Sequence, residues 1–64
     1  MQGHFPYIAK HLKTGHLYTV LMEVEECTNG REGKMYTVYT RDSMLFCRDS
    51  EEFNKKFNKV VDNG

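Results

Sequence analysis

Tryptophan is absent from this 64-residue sequence, proline occurs once and cysteine twice. Two cysteines, Cys27 and Cys47, are too few to staple a miniprotein, so any fold has to rest on its core, and both thiols are expected to be reduced. No window approaches the roughly 18 apolar residues of a membrane-spanning helix, and Met1 to Lys10 lack the basic region and apolar run of a signal peptide. The expectation is a soluble cytoplasmic protein with no membrane partner. An excess of one charge is missing too: nine Lys plus Arg balance nine Asp plus Glu. That argues against a protein whose main work is unspecific phosphate binding. Residues 1–64 are too few for more than one domain, and they leave little spare stability for a strained catalytic cleft. Gln2-Gly3-His4 resembles what some tag-removal sites leave behind, so residues 1–6 are expected to be flexible or partly cloning-derived.

The motifs of catalysis and metal binding are also missing. Cys27, Cys47, His11 and His16 would be the only zinc set, yet none stands in a paired-ligand spacing, and free, buried or half-buried cysteines are expected instead. A nucleophilic cysteine needs a His oriented by a carboxylate. Cys27 has the negative neighbours Glu25 and Glu26, which disfavour a thiolate. Cys47 lies beside Arg48 and just before a helix start, the better setting of the two, though a structural cysteine outweighs a reactive one there as well. Glu23 and Glu25 share a strand face, but paired-carboxylate chemistry needs a concave, partly dry site that so small a domain rarely encloses. They read more simply as a solvated acidic edge that discourages strand addition, or as a surface for a basic partner. Gly30 and Gly33 are separated by charged residues and precede no helix, so they form no phosphate loop. No catalytic, cofactor-binding or metal-binding residue is assigned, and the protein is expected not to be an enzyme.

What the sequence does contain is alternation. Leu17 to Cys27 sets Tyr18, Val20, Met22 and Val24 on one side of an extended chain, and Met35 to Arg41 separates Tyr36, Val38 and Thr40 from Met35, Thr37, Tyr39 and Arg41. Both segments predict strands. Thr28 to Lys34, with two glycines and no apolar residue, predicts a mobile hairpin loop. Arg41-Asp42-Ser43 reads as a tight turn into a short apolar strand, Met44 to Arg48, and Tyr7 to Leu12 as a first strand closed by Lys13-Thr14-Gly15-His16. The tail then changes period. Asp49-Ser50-Glu51-Glu52 forms a capping box, Phe53, Phe57, Val60 and Val61 fall on one helical stripe, and Glu51 with Lys55 and Glu52 with Lys56 are i,i+4 pairs. A helix is predicted from about Ser50 to Val61, with Asn63-Gly64 as its stop. The fold class is therefore mostly β: a small antiparallel barrel or curled sheet of four to five strands with one C-terminal α-helix.

The lysine-glycine turn and tyrosine-led strand in Lys13-Thr14-Gly15-His16-Leu17-Tyr18-Thr19-Val20-Leu21 come first. Tyr36-Thr37-Val38-Tyr39, then Phe46-Cys47-Arg48, then Glu52-Phe53 with Phe57 follow. This order resembles a family of short bacterial and phage proteins classed as a domain of unknown function, over about Tyr7 to Phe57. The resemblance implies a small Src-homology-three-like (SH3-like) barrel and carries no activity with it.

The candidate partner-binding residues are Tyr39, Arg41 and Arg48, with Lys13 and Tyr7 nearby, and Glu23 and Glu25 as a separate acidic surface. Tyr39 and Arg41 are read on the face away from the core, with Arg48 ending the next strand, so that the three converge into an aromatic and cationic patch. The plainer alternative packs Tyr39 under the helix and pairs the arginines with Glu52, Asp49 or Asp42. Phe53 and Phe57 read as core rather than as a partner groove. The function expected is a non-catalytic protein-binding module, in its narrower form a phage or mobile-element accessory that modulates a host factor. The alternative is a nucleic-acid-binding barrel using the aromatic and arginine face.

Overall fold

A two-residue turn with both residues left-handed shapes one end of the fold. Asp42 (φ 54°) and Ser43 (φ 67°) have the positive φ pair of a type I′ hairpin, whose twist matches that of the strands it joins. The computed structural model describes residues 4–28, 30 and 32–60. Its elements are β1 (Tyr7–His11), β2 (Leu17–Glu25), β3 (Met35–Arg41), β4 (Met44–Asp49), α1 (Ser50–Lys56) and β5 (Phe57–Lys59). All strand neighbours run antiparallel in the order β4-β3-β2-β1-β5. The sheet does not close: β4 and β5 are its two edges, and α1 lies on one face. The fold is thus mostly β, one open sheet with a single short helix.

The face that α1 covers differs from simple alternation. Tyr18 and Val20 point toward the helix, but the register shifts between Val20 and Met22, which pair with Tyr39 and Val38. This β-bulge at Leu21 accommodates one extra residue and swaps the faces beyond it. Met22 and Val24, expected to share the core side with Val20, therefore point away from the helix and are 48% and 40% exposed. Glu23 takes the place opposite buried Thr37 on the helix side. In β3 the facing is likewise reversed from the expected patch: Thr37 and Tyr39 are buried, while Val38 belongs to the outer face.

The core consists of Ala9, Val20, Tyr39, Phe53 and Phe57, with Phe5, Tyr7, Tyr18 and Phe46 packed around it. The Phe53 and Phe57 rings stack at 4.1 Å and 7°, and each meets the Tyr39 ring at 5.0 and 5.3 Å. Phe5 stacks on Tyr7 at 5.6 Å, next to the cis Phe5-Pro6 bond; residues 1–3 lie outside the described residues. At the start of α1 the Asp49 carboxylate accepts the Glu52 N–H at 3.1 Å, as the capping box predicts. The Thr37 and Ser50 hydroxyls, both buried, hydrogen-bond at 2.8 Å and tie the first turn to β3.

The helix ends at Lys56 and does not reach Val61. Phe57 turns extended (φ −131°, ψ 149°) while its N–H still donates to the Phe53 carbonyl. Phe57, Asn58 and Lys59 then pair with His11, Lys10 and Ala9. Pairing with the free edge of β1 satisfies backbone groups on both segments, which a longer helix would leave to water. Val60 follows β5 and is 41% exposed; Val61 and the expected Asn63-Gly64 stop lie outside the described residues, as do Asn29 and Arg31 of the predicted mobile loop.

Phe53→Ala should destabilise the fold by about 3–5 kcal/mol in urea denaturation, the range for emptying a buried aromatic site. Ser43→Gly should raise stability by about 0.5–1 kcal/mol in the same assay, because glycine occupies a left-handed position without the Cβ penalty.

Candidate functional site

Tyr39, read as the exposed aromatic of a binding patch, is instead the hub of the core, 5% exposed. Besides the two phenylalanines of the helix side, its ring meets Tyr18 at 5.5 Å and Phe46 at 5.4 Å. Its hydroxyl, at the rim of the core, accepts a hydrogen bond from Arg48 Nε at 3.3 Å. This bond, together with nearby Glu52, favours the charged guanidinium and holds the Arg48 pKa above its ordinary value. Glu52, expected to pair with Lys56 along the helix, reaches Arg48 at 3.7 Å.

Arg41 does not converge with Arg48. Arg41 pairs with Met44 at the turn, and Arg48 stands opposite Thr37, four residues farther along β4 and so about 13 Å away. Arg41 lies over the Tyr18 ring at 5.7 Å and meets Asp42 at 3.5 Å. The expected three-residue patch is therefore replaced by two separate contacts at the rim of one core, Arg41 over the Tyr18 ring and Arg48 on the Tyr39 hydroxyl. Glu23 and Glu25 do share a face, and because β1 ends opposite Val20 the segment from Met22 to Glu25 pairs only with β3, which leaves both carboxylates beside a stretch of open edge. Burial and then the Glu23 charge disfavour ionisation of Tyr7 and raise its pKa.

The structure does bring two of the sequence-derived candidates together. Lys13, in the β1–β2 turn, and Arg48 line one cleft of about 300 Å³ with His11, Leu12, Lys55 and Lys56. The Leu12 N–H donates to the Lys56 carbonyl at 2.9 Å, which fixes the turn against the end of α1. His11 is held by the edge of Phe57 at 4.8 Å, and its Nδ1 accepts the Thr14 N–H at 3.3 Å. Four permanent cations thus surround a leucine, and no carboxylate lines the cleft. Sequence spacing pairs Lys55 and Lys56 only with Glu51 and Glu52 along the helix; the adjacent lysines in the last turn are the signal that marks them. They also complement the negative end of the helix dipole.

At the other end of the sheet Lys34 Nζ meets Asp49 at 2.6 Å. The hydrogen bond to Lys34 and then the Glu52 N–H hold the Asp49 carboxyl below its usual range, and the Asp49 hydrogen bond and charge hold Lys34 above its own. Both cysteines, expected to be at least half-buried, are exposed: Cys27 lies beyond the end of β2, and Cys47 sits on the open face of an edge strand. Among the described residues no three His, Cys, Asp or Glu side chains come together as metal ligands. No described helix is long and apolar enough to cross a membrane. No family model, curated protein or solved structure matches the chain.

The Asp49 contribution to stability is present above the unfolded carboxylate pKa and is lost as pH falls through the lower folded value. That of Lys34 is present below its unfolded pKa and is lost as pH rises through the higher folded one. Asp49→Asn keeps a capping oxygen but removes the ion pair. It should be less stable than the parent at about pH 7, and the difference should begin to shrink once pH falls below about 4, measured by urea denaturation from neutral to acid pH.

Proposed function

We propose that this protein is a non-catalytic binding module that takes an acidic segment of another protein into the cleft between the β1–β2 turn and the end of α1. One observation carries the proposal: Lys13, Arg48, Lys55 and Lys56 surround Leu12 in a single concave site. Carboxylates of a bound segment would meet the ammonium groups, and its apolar side chain would meet Leu12 and the lysine stems. Among the cations of the cleft only Arg48 has a carboxylate partner among the described residues.

Nucleic acid is the second class that four cations attract. Single-strand binding relies on aromatic faces on which bases stack. No aromatic ring lines this cleft apart from the imidazole of His11, and Tyr39, the expected stacking ring, is buried. An acidic peptide is therefore favoured. The resemblance of the sequence to short bacterial and phage proteins motivates a narrower version, an accessory protein of a phage or mobile element that modulates a host factor in the host cytoplasm.

Fluorescence anisotropy with a labelled glutamate-rich peptide and a single-stranded oligonucleotide of equal charge tests the proposal. The peptide should bind more tightly, and its affinity should fall as salt rises from about 50 to about 200 mM. The double variant Lys55→Glu, Lys56→Glu should weaken peptide binding at least about tenfold, a loss of about 1.4 kcal/mol. Tighter binding of the oligonucleotide, or no binding of either probe at low salt, would refute it.

A further inference from the structure

Among the described residues nothing covers the face of the sheet opposite α1. One row runs across four strands to the residue after β5: Leu45, Thr40, Thr19, Ile8 and Val60, set side by side by the β4–β3, β3–β2 and β2–β1 registers and by the Val60 N–H donating to the Ile8 carbonyl at 2.8 Å. Below it lie Cys47, Val38 and Met22 in a second row. Leu45 is 70% exposed. An exposed surface with this many apolar side chains, broken by Thr40 and Thr19 alone in its long row, marks an interface on so small a protein.

We propose that two copies of this chain stack through this sheet face. The proposal rests on observations separate from the basic cleft. The first is area. Five strands about 4.8 Å apart and about six residues of about 3.3 Å each give a face of about 24 by 20 Å, or about 480 Å² in projection. Two such faces bury about 1,000 Å², the lower limit for a specific interface, so the dimer is a weak one in equilibrium with monomer. The second is charge. The face carries Lys10 near one corner and, at the diagonally opposite one, Asp49 with Lys34 bridged to it at 2.6 Å and Glu26 accepting the Tyr36 hydroxyl, with no charged residue in the rows between. A two-fold axis along the other diagonal sets each Lys10 over that corner of the second copy, where the two carboxylates of Asp49 and Glu26 outnumber the one cation, Lys34. It also crosses the strands steeply, close to the orthogonal arrangement of stacked sheets. The third is the size of the core. Five buried apolar side chains among the described residues are few for a free-standing domain, and association with a copy of itself is a usual remedy.

The two cysteines provide a built-in probe. Cys47 lies on the face that stacking covers, and Cys27 lies beyond the end of β2, outside it. Sedimentation equilibrium of the intact chain from about 5 µM to about 1 mM should show a monomer–dimer equilibrium, as an interface of this size implies. Over the same range the labelling rate of Cys47 by a maleimide should fall severalfold, while that of Cys27 stays constant. Leu45→Lys and Met22→Lys change exposed side chains and should each weaken association at least about tenfold, whereas Lys55→Glu with Lys56→Glu should leave it intact. A chain that stays monomeric throughout the range overturns the proposal. So does a dimer that both face variants retain with Cys47 labelled as fast as in dilute solution. Either result leaves the cleft proposal to its own peptide assay.

Discussion

The fold depends on the aromatic cluster around Tyr39. The sheet alone offers Ala9 and Val20 as its fully buried aliphatic side chains, too little to hold a helix of seven residues. Phe53 and Phe57 close the gap by stacking on each other and together meeting Tyr39, while Tyr18 and Phe46 flank that ring from β2 and β4. Rings in edge and offset contact add to simple area burial, and a ring cluster of this kind fixes orientation as well as proximity. The short helix is thereby held at a defined place over β3. The position of its last turn, and with it Lys55 and Lys56, follows from the same contacts.

That cluster also explains why α1 gives way to β5. Phe57 is the last residue needed by the core. Once its ring is in place, the backbone is free to leave the helix, and the nearest unsatisfied partner is the edge of β1. The switch brings His11 against Phe57 and the β1–β2 turn against the Lys56 carbonyl. The cationic cleft is therefore a by-product of how the chain closes its core: the turn bearing Lys13 and the helix end bearing two lysines are drawn together by contacts between uncharged groups.

Local sequence signals located the strands well because period-two patterns and turn residues act over a few neighbours. β1, β3 and β4 and the Asp42-Ser43 turn all stand where alternation and turn chemistry put them. Facing was harder to read. The apolar residues Tyr18, Val20, Met22 and Val24 alternate without a break, and nothing in that run announces a bulge at Leu21; the shift appears only when β2 is set against β3. In β3 both faces carry a tyrosine, so hydrophobicity does not choose between them, and the helix docks on the side with Tyr39. The same ambiguity misplaced the binding patch. Arg41 and Arg48 were correctly seen on the side of Tyr39, but that side proved to be the core, which sends the guanidiniums to its rim. Lys55 and Lys56 were hidden by a plausible local pairing with Glu51 and Glu52, since sequence distance along the helix said nothing of the turn that packs against its end.

The balanced charge of the chain conceals a separation in space. Glu23, Glu25 and Glu26 lie at or beyond the far end of β2, about 27 Å along the strand from the turn that holds Lys13. Asp49 and Glu51 stand at the start of α1 near that acidic end, while Lys55 and Lys56 stand at its finish. The helix and the middle strand therefore polarise the molecule in the same sense, and the helix dipole is complemented at both termini. A protein with no net charge can in this way present a cationic site to an acidic partner without carrying the long-range attraction to nucleic acid that an overall basic protein cannot avoid. The polarity lies along the strands, while the apolar face lies across them on the side away from α1. The two surfaces meet only at their margins, which lets one be occupied while the other remains open.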